Sequence, residues 1–207
     1  MSCVMIFRHS TPHPALKPDF SVPMTSRIRF QFKPEKLVET ILYLCRHGLE
    51  LDQYKVVKLL YLADREHFRR FRRPISFDRY VAMEYGPVAS NALRLMKGEK
   101  VAGVDRSALP FDIKKLDRLI FVEHPNREIK RELFSKSDLV VLDETVAKYG
   151  HMTFGQLFQV THDHFAYHRA WSTRTSDAEE MRFEDFLDES EEKAELVEDL
   201  AFVSRGL

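Results

Sequence analysis

From Asp52 to Pro74 no glycine or proline interrupts the chain, and apolar side chains recur there on more than one helical face. Val56, Leu59, Leu60, Ala63 and His67 share one face, with Tyr54, Val57, Tyr61 and Phe68 beside them. Asp52 is a good N-cap and Pro74 a stop, so the pattern predicts a helix running to about Arg72. Apolar groups over so much of its circumference make it a central helix, packed on two sides. Whatever else this chain forms must wrap around that helix. With 207 residues it is long enough to bury a proper core in one domain.

The flanking sequence is punctuated in the same way. Pro34 and Gly48 bracket a helix with Leu37, Val38, Ile41, Leu42, Leu44 and Cys45 as its apolar positions. Arg79 to Tyr85 reads as a strand, which Gly86-Pro87 turns into a third helix ended by Gly98. A loop from about Lys100 to Pro110 precedes a second strand at Leu119-Ile120-Phe121-Val122. Ser135 caps a helix ended by Gly150, and Thr153 with Gln156 forms a capping box for another. Phe183, Phe186 and Leu187 make one apolar face near the end; Leu196, Leu200 and Val203 make another on an acidic terminal helix. Ile28, Phe30 and Phe32 alternate with polar residues as in a short half-buried strand. The fold class is mainly α (α+β): a compact helical domain of about six helices with a small β-sheet or hairpin.

Residues 1–26 hold four of the nine prolines and show no apolar period, so they are expected to be a disordered leader, with residues 1–23 dispensable. Met24 stands where the pattern begins and is a candidate translation start. The expected division is therefore leader 1–26, domain 27–190 and acidic C-terminal helix 191–207.

Lysine and arginine total 32, as do aspartate and glutamate, and this zero net charge argues against a generic nucleic-acid coater. The balance is uneven, however. Twelve acids face three bases from Asp177 onward, so residues 1–176 carry a formal +9, with the sharpest cluster at Arg65, Arg69, Arg70, Arg72, Arg73 and Arg79. Two opposed solvated helix faces would account for this, and so would a basic surface for an acidic partner. Two cysteines cannot build a disulfide framework, and Cys45 fits as a small core residue. No apolar run approaches bilayer length, and a soluble, cytoplasmic protein without a membrane partner is expected.

Catalytic signals are sparse. His162, Asp163, His164 and His168 offer a metal-dependent hydrolase as one alternative, with His164 and His168 four apart on one helical face. The residues between those two are Phe165, Ala166 and Tyr167, without the glutamate of a zinc-protease helix. No metal ligand, cofactor or catalytic residue is assigned, and no enzyme is expected. A nucleic-acid-binding module using Arg69 and Arg73 is a further alternative. The nearest aromatics, Phe68, Phe71 and Phe77, are expected to pack inward rather than stack on bases.

One ordered set of short motifs goes further. Lys58-Leu59-Leu60-Tyr61-Leu62-Ala63-Asp64-Arg65-Glu66 is followed by Arg79-Tyr80, Tyr85-Gly86-Pro87-Val88, Thr161-His162 and Ala170-Trp171. Over Pro34 to Phe186 this resembles the SocA-like Panacea domain of bacterial and phage toxin–antitoxin systems. The resemblance implies an α-rich antitoxin that binds and neutralises a cognate toxin protein encoded beside it. Delivery of the toxin to a ClpXP-type protease is the alternative it carries. Partner-binding candidates are Lys58, Tyr61, Arg65, Arg69, Tyr80, Tyr85, His162 and Trp171, with Lys58 and Arg65 projecting their charges from the helix rim. Gly86 and Pro87 are expected to form a structural turn. His162 suits a structural hydrogen bond or a partner contact, and Trp171 suits a fold anchor or a partner anchor.

Overall fold

The computed structural model describes residues 27–187 and 193–206. Helix α1 (Pro34–Cys45) opens on its proline, and the chain turns back beyond it at Gly48, where φ is +66°. Strand β1 (Leu51–Asp52) leads directly into α2 (Gln53–Phe71). Asp52 caps α2 by accepting from the Lys55 N–H at 2.7 Å, and Arg72 ends it in the left-handed conformation, two residues before Pro74. From Val56 to Asp64 every side chain of α2 is buried, which makes it the central helix its sequence predicts.

Among the described residues, six further α-helices and two antiparallel three-stranded sheets surround α2. One sheet holds β2 (Tyr80–Met83), β3 (Gly86–Ala89) and β6 (Glu179–Glu180) in the order β3-β2-β6. The other holds β1, β4 (Asp112–Leu116) and β5 (Leu119–Glu123) in the order β1-β5-β4. Where β1 ends, the Gln53 side chain continues it as a surrogate peptide. Its Nε2 donates to the Arg118 carbonyl at 3.3 Å, and its Oε1 accepts from the Ile120 N–H. Helices α3 (Ser90–Met96), α4 (Lys136–Tyr149), α5 (Phe154–His162) and α6 (Phe165–Ser172) complete the body, and α7 (Lys193–Val203) follows. Both α4 and α5 start with complete capping boxes, Ser135 with Asp138 and Thr153 with Gln156. The mixed α+β class, mainly α, is as expected, with one helix more than expected.

Four local expectations are corrected. Ile28, Phe30 and Phe32 do alternate inward, but no strand forms, because side chains take the backbone: Ile28 N–H donates to Glu184 and Arg29 N–H to Ser204. Gly86-Pro87 does not start a helix; it opens β3, with Pro87 opposite Ala82 on an edge strand that tolerates its missing donor. Helix α3 begins three residues later, where Asp78 accepts from the N–H groups of Asn91 and Ala92. Strand β4 was not expected from its charged sequence. On α7 the buried positions are Val197 and Ala201, whereas Val203 is exposed. The leader 1–26 lies outside the described residues, and no helix among those described is long and apolar enough to cross a membrane.

Candidate functional site

Lys58 does not project from a rim. Its side chain is buried, 1% exposed, and Nζ donates to the carbonyls of Tyr85 at 2.5 Å and Pro87 at 3.0 Å. The physical reason is the β2–β3 turn, which lies over this face of α2 and directs two carbonyls inward on either side of Gly86. Gly86 has φ +92°, and a Cβ there would sit 2.5 Å from Lys58 Nζ and 2.8 Å from His162 Cε1. Only glycine allows so close an approach. His162, at the end of α5, holds the other side of the turn, with Nδ1 2.9 Å from the Phe158 carbonyl and Nε2 3.3 Å from the Glu84 carbonyl. A neutral imidazole can donate to only one of them. Burial lowers the Lys58 pKa to about 7, and burial also lowers that of His162, with the Lys58 charge adding to the effect.

The turn so clamped presents an aromatic surface. Tyr85 is 49% exposed at its tip, and Phe154, 44% exposed, opens α5 beside it. Tyr54 on α2 meets both rings edge-on, at centroid distances of 6.3 Å from Tyr85 and 5.2 Å from Phe154. From Phe154 a series of rings runs along α5 and α6. Phe158 follows, stacked on His162 at 3.6 Å, then Tyr167 at 4.4 Å from His162, then Trp171 stacked on Tyr167 at 6.0 Å. Trp171 is half-buried, and the Arg174 guanidinium lies 3.8 Å from its ring centre.

The other candidates lie elsewhere. Tyr61 and Tyr80 are buried, so neither offers surface to a partner. Tyr80 donates its hydroxyl to Asp64 at 2.7 Å, and Asp64 also accepts from the N–H groups of Ile75 and Ser76 and from the Ser76 hydroxyl. This buried carboxyl fastens the segment after α2 to the helix; burial pushes its pKa up, against the pull of those bonds. Arg65 and Arg69, partly exposed on α2, flank His164, whose pKa falls to about 4 through burial first and those two charges second.

His164 is the N-cap of α6 rather than a helical residue, because the chain breaks between α5 and α6 at Asp163. It therefore does not share a helical face with His168; its Nδ1 lies 3.2 Å from the Tyr61 hydroxyl. Among the described residues no three His, Cys, Asp or Glu side chains are grouped to hold a metal ion. The arginine cluster is largely engaged: Arg69 with Glu66, Arg70 with Glu144, Arg73 with Asp138, and Arg72 on the Arg69 carbonyl. Phe68 and Phe77 pack inward, but Phe71 is 42% exposed.

A second buried hub went unforeseen. Asp138, in the first turn of α4, meets Lys36 Nζ at 2.6 Å, His67 Nε2 at 3.0 Å and Arg73 Nη2 at 2.7 Å. It ties α1, α2 and α4 together below an open cavity of about 820 Å³ between Phe32, Phe77 and Phe134. Tyr54, Phe154 and Phe158 were likewise missed as surface residues; the one available signal was the Thr153–Gln156 capping box, which fixes Phe154 as the first residue of α5.

The mainly α, α+β domain built around α2 carries the motif residues Lys58, Gly86 and His162 in one cluster. The chain belongs to the antitoxin SocA-like, Panacea domain family, whose model matches residues 56–172. That span runs from α2 to the end of α6 and contains both the clamp and most of the aromatic surface. Membership associates the protein with toxin–antitoxin systems. No curated protein and no solved structure matches the chain.

Proposed function

We propose that this protein is an antitoxin that neutralises a cognate toxin by direct contact, and that the toxin docks on the surface formed by Tyr54, Tyr85, Phe154 and Phe158. The observation that supports it is an exposed aromatic group on a turn held from beneath. Tyrosine and phenylalanine are strong interface anchors when they cluster. The bonds of Lys58 to two carbonyls of the turn, with the His162 ring beside a third, fix Tyr85 before any partner arrives, which lowers the ordering cost of binding. In this arrangement Lys58, Gly86, Pro87 and His162 position the surface, and Trp171 anchors its far end against Tyr167.

Titration calorimetry between this protein and the product of the adjacent reading frame tests the proposal. Wild-type protein should bind, and Tyr85→Ala or Phe154→Ala should each cost about 2 kcal/mol or more of binding energy, as interface anchors do. Binding that both substitutions leave unchanged would place the toxin elsewhere. The geometry singles out no surface for a protease, so delivery to a ClpXP-type protease is not part of the proposal.

A further inference from the structure

The sheet β1-β5-β4 has unequal edges. On one side Gln53 finishes what β1 begins; on the other, β4 is open. Leu116 and Leu119 pair across the two-residue turn Asp117-Arg118, which makes them a hydrogen-bonded pair, so alternate residues of β4 face outward. Ile113 and Lys115 therefore direct their N–H and C=O groups away from β5. The parity is confirmed on β5, where Ile120, opposite Lys115, gives its N–H to Gln53 on the far side. Asp112, Lys114, Lys115 and Leu116 are exposed along this edge.

We propose that β4 pairs antiparallel with β4 of a second copy of this chain, about a two-fold axis through Ile113. Outward residues must face outward residues, which leaves three two-fold registers, centred on Ile113, Lys114 or Lys115. The Lys114 register sets that lysine opposite itself, and the Lys115 register does the same to Lys115. The Ile113 register sets Asp112 of each copy opposite Lys114 of the other, twice. Opposite charges across strands stabilise and like charges destabilise, so the charge pattern selects this register.

Lysine on an edge ordinarily guards against pairing. Here Asp112, two residues before Lys114 on the same face of the pleat, turns that guard into a register selector. The β4–β5 hairpin offers no net repulsion, with Lys114, Lys115 and Arg118 against Asp112, Asp117 and Glu123. Within one copy Lys114 already meets Glu123 at 3.4 Å and Asp112 meets His124 at 3.2 Å; Lys114, Asp112 and His124 are well exposed and Glu123 is half-buried, so little is lost when Lys114 and Asp112 take new partners. A short strand pair buries less than the roughly 1,200 Å² of stable complexes, so the dimer is weak, with a Kd in the micromolar range or above. Its two-fold symmetry leaves both aromatic surfaces in the same relation to the shared six-stranded sheet.

Sedimentation velocity on the full chain, from about 1 µM to about 500 µM, tests this. Wild-type protein should dimerise with rising concentration. Asp112→Lys and Lys114→Asp alone each place like charges opposite one another twice and should weaken the dimer about tenfold or more. An equimolar mixture of these two variants restores both opposite-charge pairs and should dimerise again. Lys115→Pro deletes an outward N–H that the hairpin does not use, so it should abolish the dimer at unchanged melting temperature. A monomer throughout the range overturns the proposal, as does a dimer indifferent to these changes or a mixture that fails to recover. Protection of the Ile113 and Lys115 amides only when a toxin is added would assign the edge to that partner instead.

Discussion

Replacing Lys58 by methionine removes the clamp's lysine, whose pKa burial brings down to about 7. The native pKa of about 7 lies below the ordinary 10.5, so between those values the native state binds fewer protons than the unfolded chain. Stability must then rise with pH across that window and stay flat below it, where both states are protonated. Integrating from about pH 7 to about pH 8.5 gives a gain of about 1.5 kcal/mol from this side chain alone. Cys45 works in the opposite direction, since burial raises its thiol from 9.0 to about 11, but its effect sets in only near pH 9. Urea unfolding of wild-type and Lys58→Met protein at both pH values isolates the difference. The wild type should gain about 1.5 kcal/mol and the variant almost nothing. Equal gains in both proteins would show instead that the two carbonyls keep the ammonium charged well above neutrality.

Gly86→Ala should destabilise by about 2 kcal/mol or more in thermal melts, because a residue with a Cβ is strained at φ +92° and would collide with Lys58 and His162. Tyr85→Ala should shift stability by no more than about 0.5 kcal/mol, the scale of an exposed position, while abolishing toxin neutralisation. Asp138→Ala should cost about 3–5 kcal/mol by leaving Lys36 and Arg73 without their buried carboxylate, as read by denaturant unfolding. Although burial alone would raise it, hydrogen bonds from His67 and Lys36 hold the Asp138 carboxyl below its usual 3.8. Its stabilisation is present above about pH 4 and should be lost as the pH falls below that, with the loss absent in Asp138→Ala.

The parts of this fold legible in sequence are those fixed by local chemistry. Asp52, Ser135 and Thr153 cap the helices they precede, and the all-round apolar pattern of α2 states its central place. Features that depend on distant partners were hidden. The burial of Lys58 needs carbonyls of Tyr85 and Pro87, 27 and 29 residues further along the chain, and no local pattern distinguishes it from a solvated lysine. Gly86-Pro87 carries the same signature at a helix start as on an edge strand, and only pairing with Met83 and Ala82 decides between them. Strand β4 has no buried side chain, so it lacks the alternation that marks a strand. The break at Asp163 and His164 contains neither glycine nor proline, so in the sequence His164 and His168 read as one helical face. The resemblance found through Lys58, Tyr85, Gly86 and His162 named the right family, yet it could not tell which of those side chains support the surface and which compose it.

Neutralisation of a toxin by this aromatic surface is the function proposed for the protein. Co-expression with the product of the adjacent reading frame, scored as growth, tests it most directly when run with wild-type protein and with a Tyr85→Ala, Phe154→Ala variant of equal abundance and unchanged melting temperature. The neighbour alone should arrest growth, the wild type should restore it, and the variant should not. A neighbour that is harmless, toxicity that persists beside the wild type, or full rescue by the variant would contradict that function.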